Sequence, residues 1–126
     1  MDRLKAEKAT TRLVDVMDKL RKECPWDREQ TFETLRNNTI EETYELADAI
    51  TDKNMEGIKE ELGDLLFAAV KVGRFSGIDP EEALHRACDK FDARFRLVEE
   101  AAGKPLAEYS EEELLALWRA AKETLS

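Results

Sequence analysis

From Leu62 to Val70 the chain reads Leu-Gly-Asp-Leu-Leu-Phe-Ala-Ala-Val, apolar nearly all round at helical pitch, with Asp64 its single charge. A helix of that kind is expected to lie enclosed by other helices. The apolar run from Leu65 to Val70 is far too short to cross a membrane. Just ahead of it stands Glu61, which shares a helical face with Ile58, Leu65, Ala68 and Val72. A carboxylate in such surroundings is costly unless it is paired or bound to a metal.

Glu61 is not isolated. The segment Glu60-Glu61-Leu62-Gly63-Asp64 has a counterpart in Glu41-Glu42-Thr43-Tyr44-Glu45. In each, two carboxylates stand three residues apart, Glu42 with Glu45 and Glu61 with Asp64, one turn apart on one helix face. Like charges at that spacing repel, and a cation at the centre of the four would reverse the sign of that interaction. Hard divalent ions, magnesium and also manganese, take oxygen ligands of this kind. The alternative for any one of these acids is an ordinary solvated face in a chain with 29 acidic residues.

The rest of the sequence predicts helices. One runs from about Leu4 to Lys22 and stops before Cys24-Pro25-Trp26-Asp27, read as an irregular segment. Thr31 or Asp27 caps a second that reaches about Thr51, and Asn54 caps a third over Met55 to Phe75, broken by Ser76-Gly77-Ile78. Asp79-Pro80-Glu81-Glu82 starts a fourth that continues to about Ala102, where Gly103-Lys104-Pro105 interrupts it. Ser110-Glu111-Glu112-Glu113 is a capping box for a short last helix to about Thr124. No stretch alternates with strand period. Helices of this length joined by short turns predict an all-α, antiparallel four-helix-type bundle with an extra short C-terminal helix, a single domain over 1–126.

Composition narrows the partners. A formal charge of −9 argues against a nucleic-acid polymer, and the amino terminus carries no signal-type apolar segment. Cys24 and Cys88 have no metal-ligand spacing and read as reduced thiols, so a cytoplasmic protein without membrane attachment is expected. Arg86, Lys90 and Arg94 align as a basic stripe that either receives phosphate oxygens or makes ordinary helix ion pairs, as Glu82 with Arg86 at i,i+4. Trp26 either stacks on a nucleobase or plugs the end of a bundle, and Trp118, among Leu114, Leu115 and Leu117, is most simply packing. Asn38 and Lys59 adjoin the acidic clusters as candidate substrate contacts. Glu82-Ala83-Leu84-His85 has di-iron spacing, but that architecture needs two such motifs and His85 is the sole histidine.

Taken in order, these motifs resemble the MazG-type nucleoside triphosphate pyrophosphohydrolases of the all-α NTP pyrophosphatase superfamily. Cys24-Pro25-Trp26-Asp27-Arg28-Glu29-Gln30-Thr31 is similar to the family's amino-terminal signature, Glu41-Glu42-x-x-Glu45 with Glu61-x-x-Asp64 to its metal pattern, and Lys90-Phe91-Asp92-Ala93-Arg94-Phe95-Arg96 to the following segment. From Ile58 through Gly103-Lys104-Pro105-Leu106 to Trp118 the chain resembles the second repeat of long members.

The resemblance implies a single-domain form that assembles as a homodimer or higher homo-oligomer. It also implies hydrolysis of an NTP or dNTP between the α and β phosphates, giving a monophosphate and pyrophosphate, for instance in clearing unwanted nucleotides. Carried over, Glu42, Glu45, Glu61 and Asp64 ligate magnesium, and Glu41 or Glu60 orients or deprotonates the attacking water. Lys90, Arg94 and Lys59 hold phosphate oxygens, and Asn38, Trp26 and Trp118 contact sugar or base. The alternatives are a pyrophosphatase restricted to dUTP or dCTP, one acting on phosphoribosyl-ATP, and a helical interaction module without turnover.

Overall fold

A computed structural model describes residues 2–125. The described chain is all-α, with six α-helices, one 3-10 turn and no strand, as the capping and periodicity signals predict. It divides into two compact units, Met1–Pro80 and Glu81–Ser126. None of the described helices is long and apolar enough to cross a membrane.

The first unit holds α1 (Arg3–Glu23), α2 (Pro25–Arg28), α3 (Phe32–Thr51) and α4 (Met55–Ser76). Thr31 caps α3 reciprocally with Thr34: each backbone N–H donates to the other's hydroxyl, at 3.2 and 2.9 Å. The Asn54 side chain accepts from the Gly57 N–H at 3.1 Å and starts α4. Gly77, at φ +72°, ends α4 in the left-handed conformation that glycine adopts without steric cost. Only Asp52, Lys53 and Asn54 separate α3 from α4, so the two fold back antiparallel. Phe32, at the start of α3, accordingly meets Phe75, at the end of α4, edge to face at 5.0 Å. Helix α1 packs on this hairpin through buried Met17, an Arg74–Asp18 ion pair and Arg21, whose guanidinium stands 5.8 Å from the Phe75 ring centroid.

Two expectations need correction. The segment after α1 is not irregular: Pro25 occupies the first position of a short helix, where its missing N–H costs nothing, and so opens α2 after closing α1. Trp26 on that turn is 79% exposed, so it does not plug the end of a bundle among the described residues. Nor is α4 enclosed. Ala68 is its one buried residue, while Leu62 and Leu66 lie 46% and 57% exposed.

The second unit holds most of α5 (Pro80–Ala101), a 3-10 turn at Leu106–Glu108 and α6 (Glu111–Leu125). Among its described residues Val98 of α5 and Ala121 of α6 are the buried ones, and Phe95 stacks on Trp118 at 6.0 Å. The Ser110 N–H donates to a Glu113 carboxylate oxygen at 3.0 Å, and the Glu113 N–H returns to the Ser110 hydroxyl at 3.2 Å, completing the expected capping box. The Gly103 N–H donates to the Tyr109 hydroxyl at 2.8 Å across the connection.

Candidate metal centre and its neighbouring pocket

The α3–α4 hairpin sets its acids against one another. Antiparallel pairing with a three-residue turn places the middle of α3 opposite the first turns of α4, so Glu45 faces Glu61. One carboxylate oxygen from each of Glu42, Glu45 and Glu61 lies within 4.8 Å of the other two. Glu60, Glu61 and Asp64 meet the same limit, so Glu61 belongs to both groups. The first group draws on both helices and the second on α4 alone.

This clustering is electrostatically unfavourable as it stands. Burial of its carboxyl, then the adjacent Glu45 carboxyl and the charges of Asp64 and Glu60, push Glu61 up from the ordinary 4.5 to about 7. Burial, followed by the charges of Glu45, Asp64 and Glu41, raises Glu42 as well. The Oε2 atoms of Glu42 and Glu61 are both buried and accept no hydrogen bond. Two orphaned carboxylate oxygens in one cluster fit a hard divalent cation, which would satisfy them and cancel the repulsion.

The remaining candidates are distributed as follows. Glu41 and Glu60 flank the cluster on exposed faces, Asn38 is half-buried one turn before Glu42, and Lys59 is exposed in the first turns of α4. Lys90, Arg94 and Trp118 belong to the second unit. There Lys90 and Arg94 sit 5.7 and 5.9 Å from the Phe91 ring centroid, and the Arg94 Nε is buried without a hydrogen-bond partner. Arg86 takes the ordinary alternative, an ion pair with Glu82 at 3.1 Å. Trp118 is engaged in packing on Phe95. Cys24 and Cys88 are both free thiols.

Sequence reasoning missed a cavity in the first unit, about 80 Å³ in volume, between α1, α2, α3 and α4. Met17, Leu35 and Phe75 supply apolar lining, and Arg21, Lys71 and Arg74 supply cations. The available signal was Lys71, seven residues beyond Asp64 and so two turns along the same face of α4. That helical rise corresponds to about 10 Å.

Within an all-α chain, the α3–α4 hairpin thus gathers carboxylates from two helices into one group able to hold a divalent cation. Residues 30–98, more than half of the chain, match the MazG nucleotide pyrophosphohydrolase domain, and the chain belongs to that family. The matched region contains all of α3 and α4 and every acid of the cluster. A nucleoside triphosphate pyrophosphohydrolase from Mycobacterium tuberculosis is 40% identical over 116 residues, covering 88% of this chain and 35% of the relative. One from Escherichia coli is 50% identical over 62 residues, 47% of this chain and 24% of the relative. The chain thus spans about a third or less of the length of these relatives. A crystal structure of a mazG-related protein from Thermotoga maritima superposes with a TM-score of 0.68 at 27% identity, covering 90% of this chain and 98% of that one.

Proposed function

We propose that the chain is a magnesium-dependent nucleoside triphosphate pyrophosphohydrolase, cleaving between the α and β phosphates to release a nucleoside monophosphate and pyrophosphate. The observation that carries this reading is the pair of buried, unpartnered Oε2 atoms of Glu42 and Glu61 inside the family-matched hairpin. Glu42, Glu45, Glu61 and Asp64 would hold the cation, with manganese able to replace magnesium. Bound there, such an ion supplies positive charge beside the phosphates and polarises the scissile phosphoryl group.

The chain's own residues do the rest. The acid cluster repels a polyphosphate unless cations intervene, so binding at this site is conditional on the metal. Glu41 or Glu60, exposed beside the cluster, would accept a proton from the attacking water and orient it. Lys59, Lys90 and Arg94 are assigned to the phosphate oxygens, Lys and Arg donating to the charge that develops on the pyrophosphate leaving group. Asn38, Trp26 and Trp118 are assigned to the nucleoside. Trp26 is the freest of these, because its ring lies 79% exposed.

The same reading includes self-association. Ile40 and Tyr44 of α3 and Leu62 and Leu66 of α4 are 40 to 67% exposed. Apolar surface of this kind is commonly covered by another chain.

Replacement of Glu61 or Asp64 by Ala tests the assignment. Turnover is expected to vanish while the helical circular dichroism is unchanged; undiminished turnover in either variant removes these residues from the site.

A further inference from the structure

The cavity in the first unit carries chemistry that the acid cluster does not use. Its floor is apolar: Met17 and Leu35 are 4% and 2% exposed, and Phe75 adds an aromatic ring. Its polar groups are mostly committed. An Arg21 Nη1 donates to the Asp27 carbonyl oxygen at 3.3 Å and stands 3.8 Å from the Asp27 carboxylate. Asp27, the acid in the lining, is thereby turned to Arg21 and its side chain is only 12% exposed. Arg74 is paired with Asp18. Gln30 donates its amide to the Trp26 carbonyl oxygen at 3.3 Å and accepts from the Thr34 hydroxyl at 2.8 Å.

Lys71 is the exception. Among the described residues no acid pairs with it, and its Nζ stands 5.5 Å from the Phe67 ring centroid. An apolar floor with an aromatic ring and few free polar groups suits a flat heterocycle whose orientation those groups set. The pocket also lies on the acid cluster's own face of α4, about 10 Å further along by helical rise. A nucleotide held by its phosphates at the cluster can extend its ribose and base in that direction.

We infer that this pocket receives the nucleobase and that Lys71 selects bases presenting a carbonyl oxygen where their competitors present an amino group. Uracil is then preferred to cytosine, and guanine to adenine. This inference rests on the pyrophosphohydrolase reading above. An ammonium offers three donors and no acceptor, so an exocyclic amino group facing it leaves donors unpaired on both sides. A carbonyl oxygen in the same place accepts a charge-assisted hydrogen bond. Mismatch at a polar contact is the form of discrimination that a binding site delivers most strongly.

The test is equilibrium binding to the full chain, by titration calorimetry with magnesium, of the α,β-methylene analogues of UTP, CTP, GTP and ATP. The expected result is UTP over CTP, and GTP over ATP, by about 10-fold or more, the effect of one hydrogen bond to a charged donor. Lys71→Met should bring both ratios to about one, and Lys71→Arg should retain the preference, since each keeps the long stem and only Arg keeps the charge. Equal affinity for the four analogues, the reverse order, no binding of any of them, or an unchanged ratio in Lys71→Met each overturns the inference. The wild-type ratios decide it even if a variant fails to fold. The underlying reading fails differently: hydrolysable triphosphates would give no monophosphate and pyrophosphate although the analogues bind.

Discussion

Glu45 and Glu61, on antiparallel helices joined by a three-residue turn, bring carboxylate oxygens within 4.8 Å of each other, and a Glu42 oxygen lies within the same limit of both. This arrangement opposes folding of the metal-free chain and favours a divalent cation, so stability and function are expected to pull in opposite directions here. Glu61→Gln should therefore unfold at a temperature no lower than wild type in EDTA, yet lose at least about 100-fold in affinity for manganese, beyond the usual effect of an outer-shell residue. Thermal melts and manganese titration followed by electron paramagnetic resonance read the two effects separately. A lower melting temperature with unchanged manganese binding would contradict this account.

The same cluster sets a pH dependence. In the metal-free folded chain Glu61 holds its proton up to about pH 7 and Glu42 is shifted in the same direction, whereas the unfolded chain releases both near the ordinary 4.5. Between those values the folded state binds more protons, so their contribution is fully present below 4.5 and is lost as pH rises through about 7. A cation competes with those protons, so its affinity should rise over the same interval and its binding should release protons. Melts from pH 5 to 8 with and without magnesium, and calorimetry in two buffers of different ionisation enthalpy, check both statements. Proton-neutral binding at pH 6 is the result that would count against them.

At the other end of the chain the sign reverses. The Ser110 backbone, then its hydroxyl, then Lys104 hold the Glu113 carboxyl below 4.5, and the stability this contributes is present above 4.5 and lost as pH falls through the folded value. Ser110→Ala removes the hydroxyl side of the box and should cost about 1 kcal/mol. Urea unfolding at pH 7 and pH 4 should show a smaller difference between variant and wild type at the lower pH.

Gly77→Ala should destabilise by about 1 kcal/mol, because a Cβ is disfavoured at φ +72° even though no atom lies within 4 Å of where it would stand. The loss should appear as a lower urea midpoint with unchanged metal affinity.

What could be read from the sequence was local. Thr31, Asn54 and Ser110 act within three residues of themselves, and the spacing of Glu42 with Glu45 and of Glu61 with Asp64 is a property of single helices. The α2 turn was missed because Pro25 ends one helix and begins another, and a stop signal was read without its start. The exposed Leu62 and Leu66 show why an all-round apolar pattern is ambiguous: it does not say which of its faces the packed chain buries. The pocket was invisible for a different reason. Met17, Asp27 and Lys71 meet only once α1, α2 and α4 have packed, and no periodicity links residues so far apart.

The Glu42–Glu45–Glu61–Asp64 cluster is proposed to serve metal-dependent cleavage between the α and β phosphates. Phosphorus NMR of a nucleoside triphosphate incubated with the chain, first with magnesium and then after EDTA, tests it most directly. The expected record is conversion to monophosphate and pyrophosphate that stops on chelation and never starts in Glu61→Gln. Formation of diphosphate and orthophosphate, or cleavage that continues in EDTA, would contradict it.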